Sequence, residues 1–447
     1  MSKTPIFDFV KKYAESGKSR LHMPGHKGFG FLGIEKYDIT EIDGADVLYH
    51  SEGIIRESEN IASELFGSAR TVYSCEGSSL SIRAMLYLAL LHGKSIGRKP
   101  IIVAARNAHK VFMTASALLD FETEWMLPEA RNGIISCIIS PAELDKKLFE
   151  MPEKPTAVYI TSPDYLGFMS DINGLSSVCR KHEVLLLVDN AHGAYLAFTE
   201  KNLHPISLGA DMCCDSAHKT LPVLTGGSYL HISKNAPKML CDKAESAMSV
   251  FASTSPSYII MQSLDKANEY IFSGYKAKLA EYICLLTKLK ENLTEHGYVL
   301  LGNEPLKLTI DAKDYGYTGT CISDILSESG FVCEFSDQDY VTMMFTPENK
   351  SNVLSNLKKV LIDLPKKEAI SEKAPDICLS KSVMSPKEAL LSPTERIPVE
   401  KSTGRVLAQM NVSCPPAIPI AVCGELITEK SVQLFKYYGT EYLDVIQ

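Results

Sequence analysis

Several reactive side chains in this sequence lie at the ends of apolar runs. Lys219 sits in SAHKTLPVLTGG, directly after DMCCD, among the donors Ser216, His218 and Thr220. Asp189 closes VLLLVD and is followed by Asn190, Ala191 and His192. His109 lies in RNAHK after IIVAA, and Asp164 lies in SPDY after AVYIT. Gly77, Ser78 and Ser79 open an apolar-periodic run with two hydroxyls. A lysine amine in an enclosed site loses its proton more easily and forms a Schiff base with an aldehyde. A carboxylate that ends an apolar strand is costly unless it faces a cation, and a protonated pyridine nitrogen is one. A helix start with open N–H groups binds phosphate. Each residue also has an ordinary reading: a solvated lysine, an N-capping aspartate, a capping serine pair, a satisfied core histidine. Together they form the protein side of a pyridoxal 5'-phosphate site, although spacing alone does not set the reaction.

Such a site needs a scaffold that brings strand ends together. Residues 70 to 232 alternate short apolar runs with amphipathic segments, the pattern of a mainly parallel sheet covered on both faces. Strands are predicted at 101–105, 123–127, 157–161, 184–189, 211–215 and 227–232. In an open sheet of this kind ligands bind beyond the carboxyl ends of the strands, where these clusters fall. Helices are predicted from the serine pair to Gly93, with Ile82, Met85, Leu86 and Ala89 on one face, and after Asp171. Past Ser255 and Pro256 a helical stretch to about Glu295 leads into a smaller α/β segment, with strands at 307–312, 331–336 and 340–345. The expected organisation is an N-terminal arm and cap (1–69), a large cofactor-binding domain (70–270), a small α/β domain (271–365), a charged linker (366–386) and a terminal unit (387–447).

Composition narrows the function classes. With 45% hydrophobic and 22% charged residues among 447, the chain has material for a large core and is not a disordered segment. Acidic residues outnumber basic ones by 54 to 46 without a block of either sign, which argues against an extended nucleic-acid surface. No apolar run reaches the roughly 20 residues of a membrane helix and the N-terminus lacks an apolar signal core, so a cytoplasmic enzyme is expected. None of the twelve cysteines forms a CxxC pair, so reduced thiols are expected and no metal site.

LHMPGHKG (21–28), DITEIDGADVLYHSEG (38–53), NAHK (107–110), VDNAHGA (188–194), DSAHKTLPVLTG (215–226) and TSPSY (254–258) together resemble the Orn/Lys/Arg decarboxylases. These are fold type I pyridoxal phosphate enzymes, and the likeness is to the shorter branch without an N-terminal wing domain. It implies decarboxylation of a basic amino acid in polyamine metabolism, arginine to agmatine ahead of lysine to cadaverine or ornithine to putrescine. By the same likeness Lys219 is the Schiff-base lysine, Asp189 the partner of the ring nitrogen, His109 the ring-stacking residue and His192 a neighbour of the ring hydroxyl. Ser78, Ser79, Ser216 and His218 hold the phosphate. Thr254 and Ser255 reach the cofactor of a second subunit, so a homodimer or higher homo-oligomer is implied.

The sequence departs from the family pattern at several points. Glu76 precedes Gly77 where NGST is common, Asn190 and Tyr195 stand in the DEAHGAH segment, and SPDYLG replaces SPTYYG with Asp164 and Leu166. Gly226 stands where Gln is common, and the C-terminal YPPGIP and PGE appear as Cys414 to Pro419 and as Cys423, Gly424 and Glu425. Asp164 and Glu425 are the acidic candidates for a guanidinium or ammonium group, with a solvated surface role as the alternative. Two other functions remain open: a transaminase or lyase on the same fold, with Arg396 or Arg405 for a substrate carboxylate, and a pyridoxal- or polyamine-binding protein without catalysis.

Overall fold

The computed structural model describes residues 3–128, 136–410 and 418–447. The motif residues Cys414 to Ala417 lie outside that set. The chain divides into two compact units, one of residues 1–99 and 172–278, the other of residues 100–171 and 279–447.

Seven strands form the larger sheet: β1 (Arg70–Ser74), β2 (Ile101–Ala105), β3 (Glu122–Met126), β4 (Ala157–Thr161), β5 (Leu185–Asp189), β6 (Met212–Asp215) and β7 (Ser228–Ile232). Their order is β1-β7-β6-β5-β4-β2-β3. In the first unit β5 and β6 run parallel, while β7 is antiparallel to both β6 and β1. In the second unit β2 runs parallel to both β3 and β4. Every residue of β2 and β5 is buried, which is why these strands read as unbroken apolar runs. β3, at the sheet edge, keeps four of its five residues at least partly exposed. The six expected strands of this region are present within one residue at each end. β1 was not foreseen, because RTVYS carries three hydroxyls and an arginine. The fold satisfies them: Arg70 pairs with Glu59 and with Glu245 at 2.9 Å, and Thr71 meets His231 at 2.8 Å.

The helix Gly77–Ser95 follows β1 directly, and Gly77 enters it at φ +70°, where a side chain would be strained. The helix after Asp171 runs Ile172–Lys181. The long helical stretch is two helices, Tyr258–Tyr270 and Lys276–Glu295, interrupted where Gly274 takes φ +99°.

The second unit carries a four-stranded antiparallel sheet of β8 (Val299–Leu301), β9 (Lys307–Asp311), β10 (Phe335–Ser336) and β11 (Tyr340–Met344), in the order β10-β11-β9-β8. Of the strand expected at 331–336 only Phe335 and Ser336 pair, because Val332 is 96% exposed and has nothing to pack against. Near the C-terminus β12 (Thr394–Pro398) and β13 (Tyr442–Ile446) pair antiparallel.

Candidate active site

In the first unit the site is built from the ends of neighbouring strands. β5 and β6 are in register with Asp189 opposite Cys214, so the segments that follow them leave the sheet side by side. Asn190 N–H donates to the Cys214 carbonyl at 3.0 Å and joins the two segments. The chain after β6 turns through Ala217–Thr220, and the Lys219 N–H donates to the Ser216 carbonyl at 3.0 Å. This brings Lys219 Nζ to 2.9 Å from His192 Nε2. The amine is half-buried and the imidazole buried. The separation is that of a hydrogen bond between the two nitrogens, whose direction is set by the imidazole tautomer.

Asp189 is only 2% exposed. Its Oδ1 accepts from Ala191 N–H at 3.2 Å and from the Cys214 thiol at 3.6 Å. Ser216 Oγ donates to Ser78 Oγ at 2.8 Å, so the first turn of the long helix and the lysine-bearing segment present paired hydroxyls. His218 Nδ1 lies 2.9 Å from the Gly227 carbonyl. Among the described residues Thr220 Oγ1 is buried with no hydrogen-bond partner. An amine beside an imidazole, a buried carboxylate, a hydroxyl pair at a helix start and an unsatisfied hydroxyl form a donor set that fits pyridoxal phosphate.

Two of the departures noted in the sequence, Glu76 and Gly226, have local partners. Glu76 is exposed, and its Oε1 accepts from Ser253 N–H at 2.7 Å, which turns its charge toward that segment. Thr254 and Ser255 are exposed. At Gly226, φ is +101° and an added Cβ would lie 2.8 Å from the Cys75 carbonyl oxygen. The Gly226 carbonyl also accepts from Gly77 N–H at 2.7 Å, which ties the loop after the lysine to the start of the helix. A side chain such as Gln is thereby excluded here. Burial pushes the neighbouring Cys75 thiol up to about 12, so it is inert as a nucleophile.

In the second unit His109 caps the helix Lys110–Leu119, its Nδ1 accepting from Val111 N–H at 3.3 Å, and it is exposed rather than a core histidine. Asp164 is buried, not a surface residue: its Oδ1 accepts from Leu166 N–H at 3.1 Å and Phe168 N–H at 2.8 Å. Burial pushes its carboxyl up to about 6. Glu425 is also buried, and Arg106 grips both its oxygens, at 2.8 and 2.6 Å. Its charge is thus already neutralised within the fold. Sequence reasoning missed Arg106, although a cation at the end of the apolar IIVAA carries the same positional signal as Asp189. The two arginines considered for a substrate carboxylate are engaged elsewhere. Arg405 donates to Glu395 Oε1 at 2.6 Å, and Arg396 lies over the Tyr442 ring at 5.2 Å.

Two family models match the chain: the Orn/Lys/Arg decarboxylase major domain over residues 4–300 and the C-terminal domain of the same family over residues 368–441. The chain belongs to the Orn/Lys/Arg decarboxylase family. It is therefore an enzyme of the basic amino acid decarboxylase class, and the family and its fold imply pyridoxal phosphate as cofactor. Arginine decarboxylase of Bacillus subtilis is 29% identical, with 97% of this chain and 93% of that protein covered. Arginine decarboxylase of Halalkalibacterium halodurans is also 29% identical, covering 96% of this chain and 92% of that one. Lysine decarboxylase LdcA of Pseudomonas aeruginosa is 22% identical over 59% of this chain and 39% of its own length.

Solved structures agree on the fold. Lysine decarboxylase A of Pseudomonas aeruginosa superposes with a TM-score of 0.80 at 18% identity, covering 99% of this chain and 80% of that one. The constitutive lysine decarboxylase of Escherichia coli gives 0.78 at 17%, covering 99% and 82%. A NifS-like protein gives 0.54 at 15%, covering 69% and 86%. It is the decarboxylase family, not a transaminase family, whose models match this chain. Among the described residues no helix is long and apolar enough to cross a membrane.

Proposed function

We propose that this chain decarboxylates arginine, in preference to lysine or ornithine, in a pyridoxal phosphate site centred on Lys219. The observation that carries the reading is the 2.9 Å contact between Lys219 Nζ and His192 Nε2 beside the buried Asp189. Arginine is favoured because two relatives bearing that name are 29% identical over more than nine-tenths of their own length, whereas two lysine decarboxylases reach 22% and 20%.

Lys219 would hold the cofactor's aldehyde carbon, and Asp189 would keep a proton on its ring nitrogen. The hydroxyls of Ser78, Ser79 and Ser216, with the open N–H groups of the helix start, would hold the phosphate; His218 stands behind them. Bound there, pyridoxal phosphate supplies an electron sink for the charge that develops at the substrate alpha carbon. His192 Nε2 takes a proton from the Lys219 amine or returns one, so the amine reaches the neutral form that a nucleophile requires. The likeness to the family assigns ring stacking to His109, and contact with a second subunit's cofactor to Thr254 and Ser255.

A homodimer agrees with an exposed apolar stretch near the N-terminus: Leu21, Met23, Phe29, Phe31 and Leu32 are 68–95% exposed. Single chains rarely leave such a cluster in water. Cytoplasmic location and a place in polyamine metabolism follow from the same reading.

The test is carbon dioxide release from arginine, lysine and ornithine by the purified protein, with its visible absorption spectrum and a Lys219→Ala control. A band that the control loses, with fastest release from arginine, is the expected result. Fastest release from lysine or ornithine overturns the substrate assignment. No band after adding pyridoxal phosphate overturns the cofactor site itself.

A further inference from the structure

A second cluster lies on one face of the sheet in the first unit, outside the decarboxylase machinery. Cys213 and Asp215 alternate along β6 and so project to the same side. His231 on β7 is the register partner of Cys213, and Thr71 on β1 is the register partner of His231. His204, in the segment before the helix Pro205–Leu208, closes the group. The four side chains are buried. The possible ligand atoms of His204, Asp215 and His231 lie within 4.8 Å of one another.

The distances suit a shared ion. Asp215 Oδ2 is 3.0 Å from His204 Nε2 and 3.3 Å from His231 Nε2, and Cys213 Sγ is 3.8 Å from His204 Nε2. Tetrahedral zinc, with bonds of about 2.0–2.1 Å to nitrogen or oxygen and about 2.3 Å to sulfur, sets neighbouring ligands about 3.3 Å apart, and about 3.6 Å where one is sulfur. Hydrogen bonding accounts for only part of the arrangement. His231 Nε2 is buried and makes no hydrogen bond among the described residues, although it lies beside the carboxylate. Its other nitrogen meets Thr71 Oγ1 at 2.8 Å, and Asn190 Nδ2 donates to Asp215 Oδ1 at 2.7 Å. Partners behind the ligands are the usual companions of a metal centre, because they fix ring orientation and carboxylate geometry.

We propose that His204, Asp215 and His231 form a structural divalent-cation site of zinc type, with Cys213 beside it. The residues are spread over 28 positions with no short motif, so no spacing signal announces the site. Because Asp215 directly precedes Ser216 and grips Asn190, the ion would anchor the two segments that carry Lys219 and His192.

The test is metal content by mass spectrometry on full-length protein purified without a polyhistidine tag from zinc-supplemented culture, for wild type, Asp215→Asn and His231→Gln. Circular dichroism checks the fold of each. The expected result is about one zinc per wild-type chain and at least a five-fold loss in folded variants. Should the variants not fold, zinc-edge absorption spectroscopy of the wild type decides, with nitrogen and oxygen ligands that include imidazole expected. Wild type with less than a tenth of an ion per chain overturns the proposal, as does equal metal in folded variants or an ion without imidazole ligands.

Discussion

The ion pair of Arg106 and Glu425 gives a sharp test of what holds the C-terminal segment in the second unit. The guanidinium is fully buried and the carboxylate side chain 2% exposed, so neither charge has water to fall back on. Arg106 also donates from Nε to the Pro419 carbonyl at 3.3 Å, and Glu425 Oε2 accepts from Val422 N–H at 3.0 Å. Glu425→Gln keeps the volume and one acceptor but strands the arginine charge. Two charges about 4 Å apart at an effective dielectric near 20 attract by about 4 kcal/mol. The usual cost of removing one partner of a buried pair, about 3–5 kcal/mol, agrees. The assay is built in, because the only tryptophan of the chain, Trp125, lies 5.0 Å from the Arg106 guanidinium. At a urea dependence of about 2 kcal/mol per molar, Glu425→Gln should lower the midpoint of the Trp125 fluorescence transition by about 2 M. The double variant Arg106→Met with Glu425→Leu should recover most of that loss, since no charge is then left buried. A single-variant shift below about 0.3 M, or a double variant no better than the single ones, would refute the reasoning.

Three further outcomes are expected. Burial holds the Asp164 carboxyl at about 6 against 3.8, so the folded state binds its proton more tightly than the unfolded chain does. The stabilisation this group contributes is full below 3.8 and is lost as pH rises through about 6. Asp164→Asn should therefore gain on wild type by up to about 3 kcal/mol between about pH 4 and pH 8, measured by urea unfolding; a pH-independent difference would contradict it. Gly226→Ala should cost about 1–3 kcal/mol of stability and weaken pyridoxal phosphate binding, measured by spectral titration, because its Cβ meets the Cys75 carbonyl at 2.8 Å. Wild-type affinity in that variant would show that the Gly77 contact has no role. His192→Gln should lower kcat roughly 100-fold while the visible band persists, and an unchanged kcat would remove His192 from proton transfer.

The parts of this protein legible in its sequence are those whose signal is local. Strands β2, β4 and β5 were found because sheet burial on both faces leaves an unbroken apolar run. β1 and β12 were missed because their polar residues are satisfied by partners, or by water, that a window of sequence does not contain. The same boundary runs through the site residues. That Glu425 is buried could not be read, since Arg106 lies 319 positions from it and nothing near either residue reports the other. The His231 contact with Thr71 spans 160 positions, so the cluster around Asp215 was equally invisible. Lys219 and His192 lie between these extremes. Each is marked as unusual by the apolar strand before it, but their adjacency comes from the sheet. β5 and β6 are neighbours, parallel, and in register at Asp189 and Cys214. Segments leaving such a pair must emerge together, which converts 27 positions of sequence separation into a 2.9 Å contact. Parallel neighbours with short exits are what turn a list of polar residues into one site, and shifting that register by even one residue would separate the amine from the imidazole.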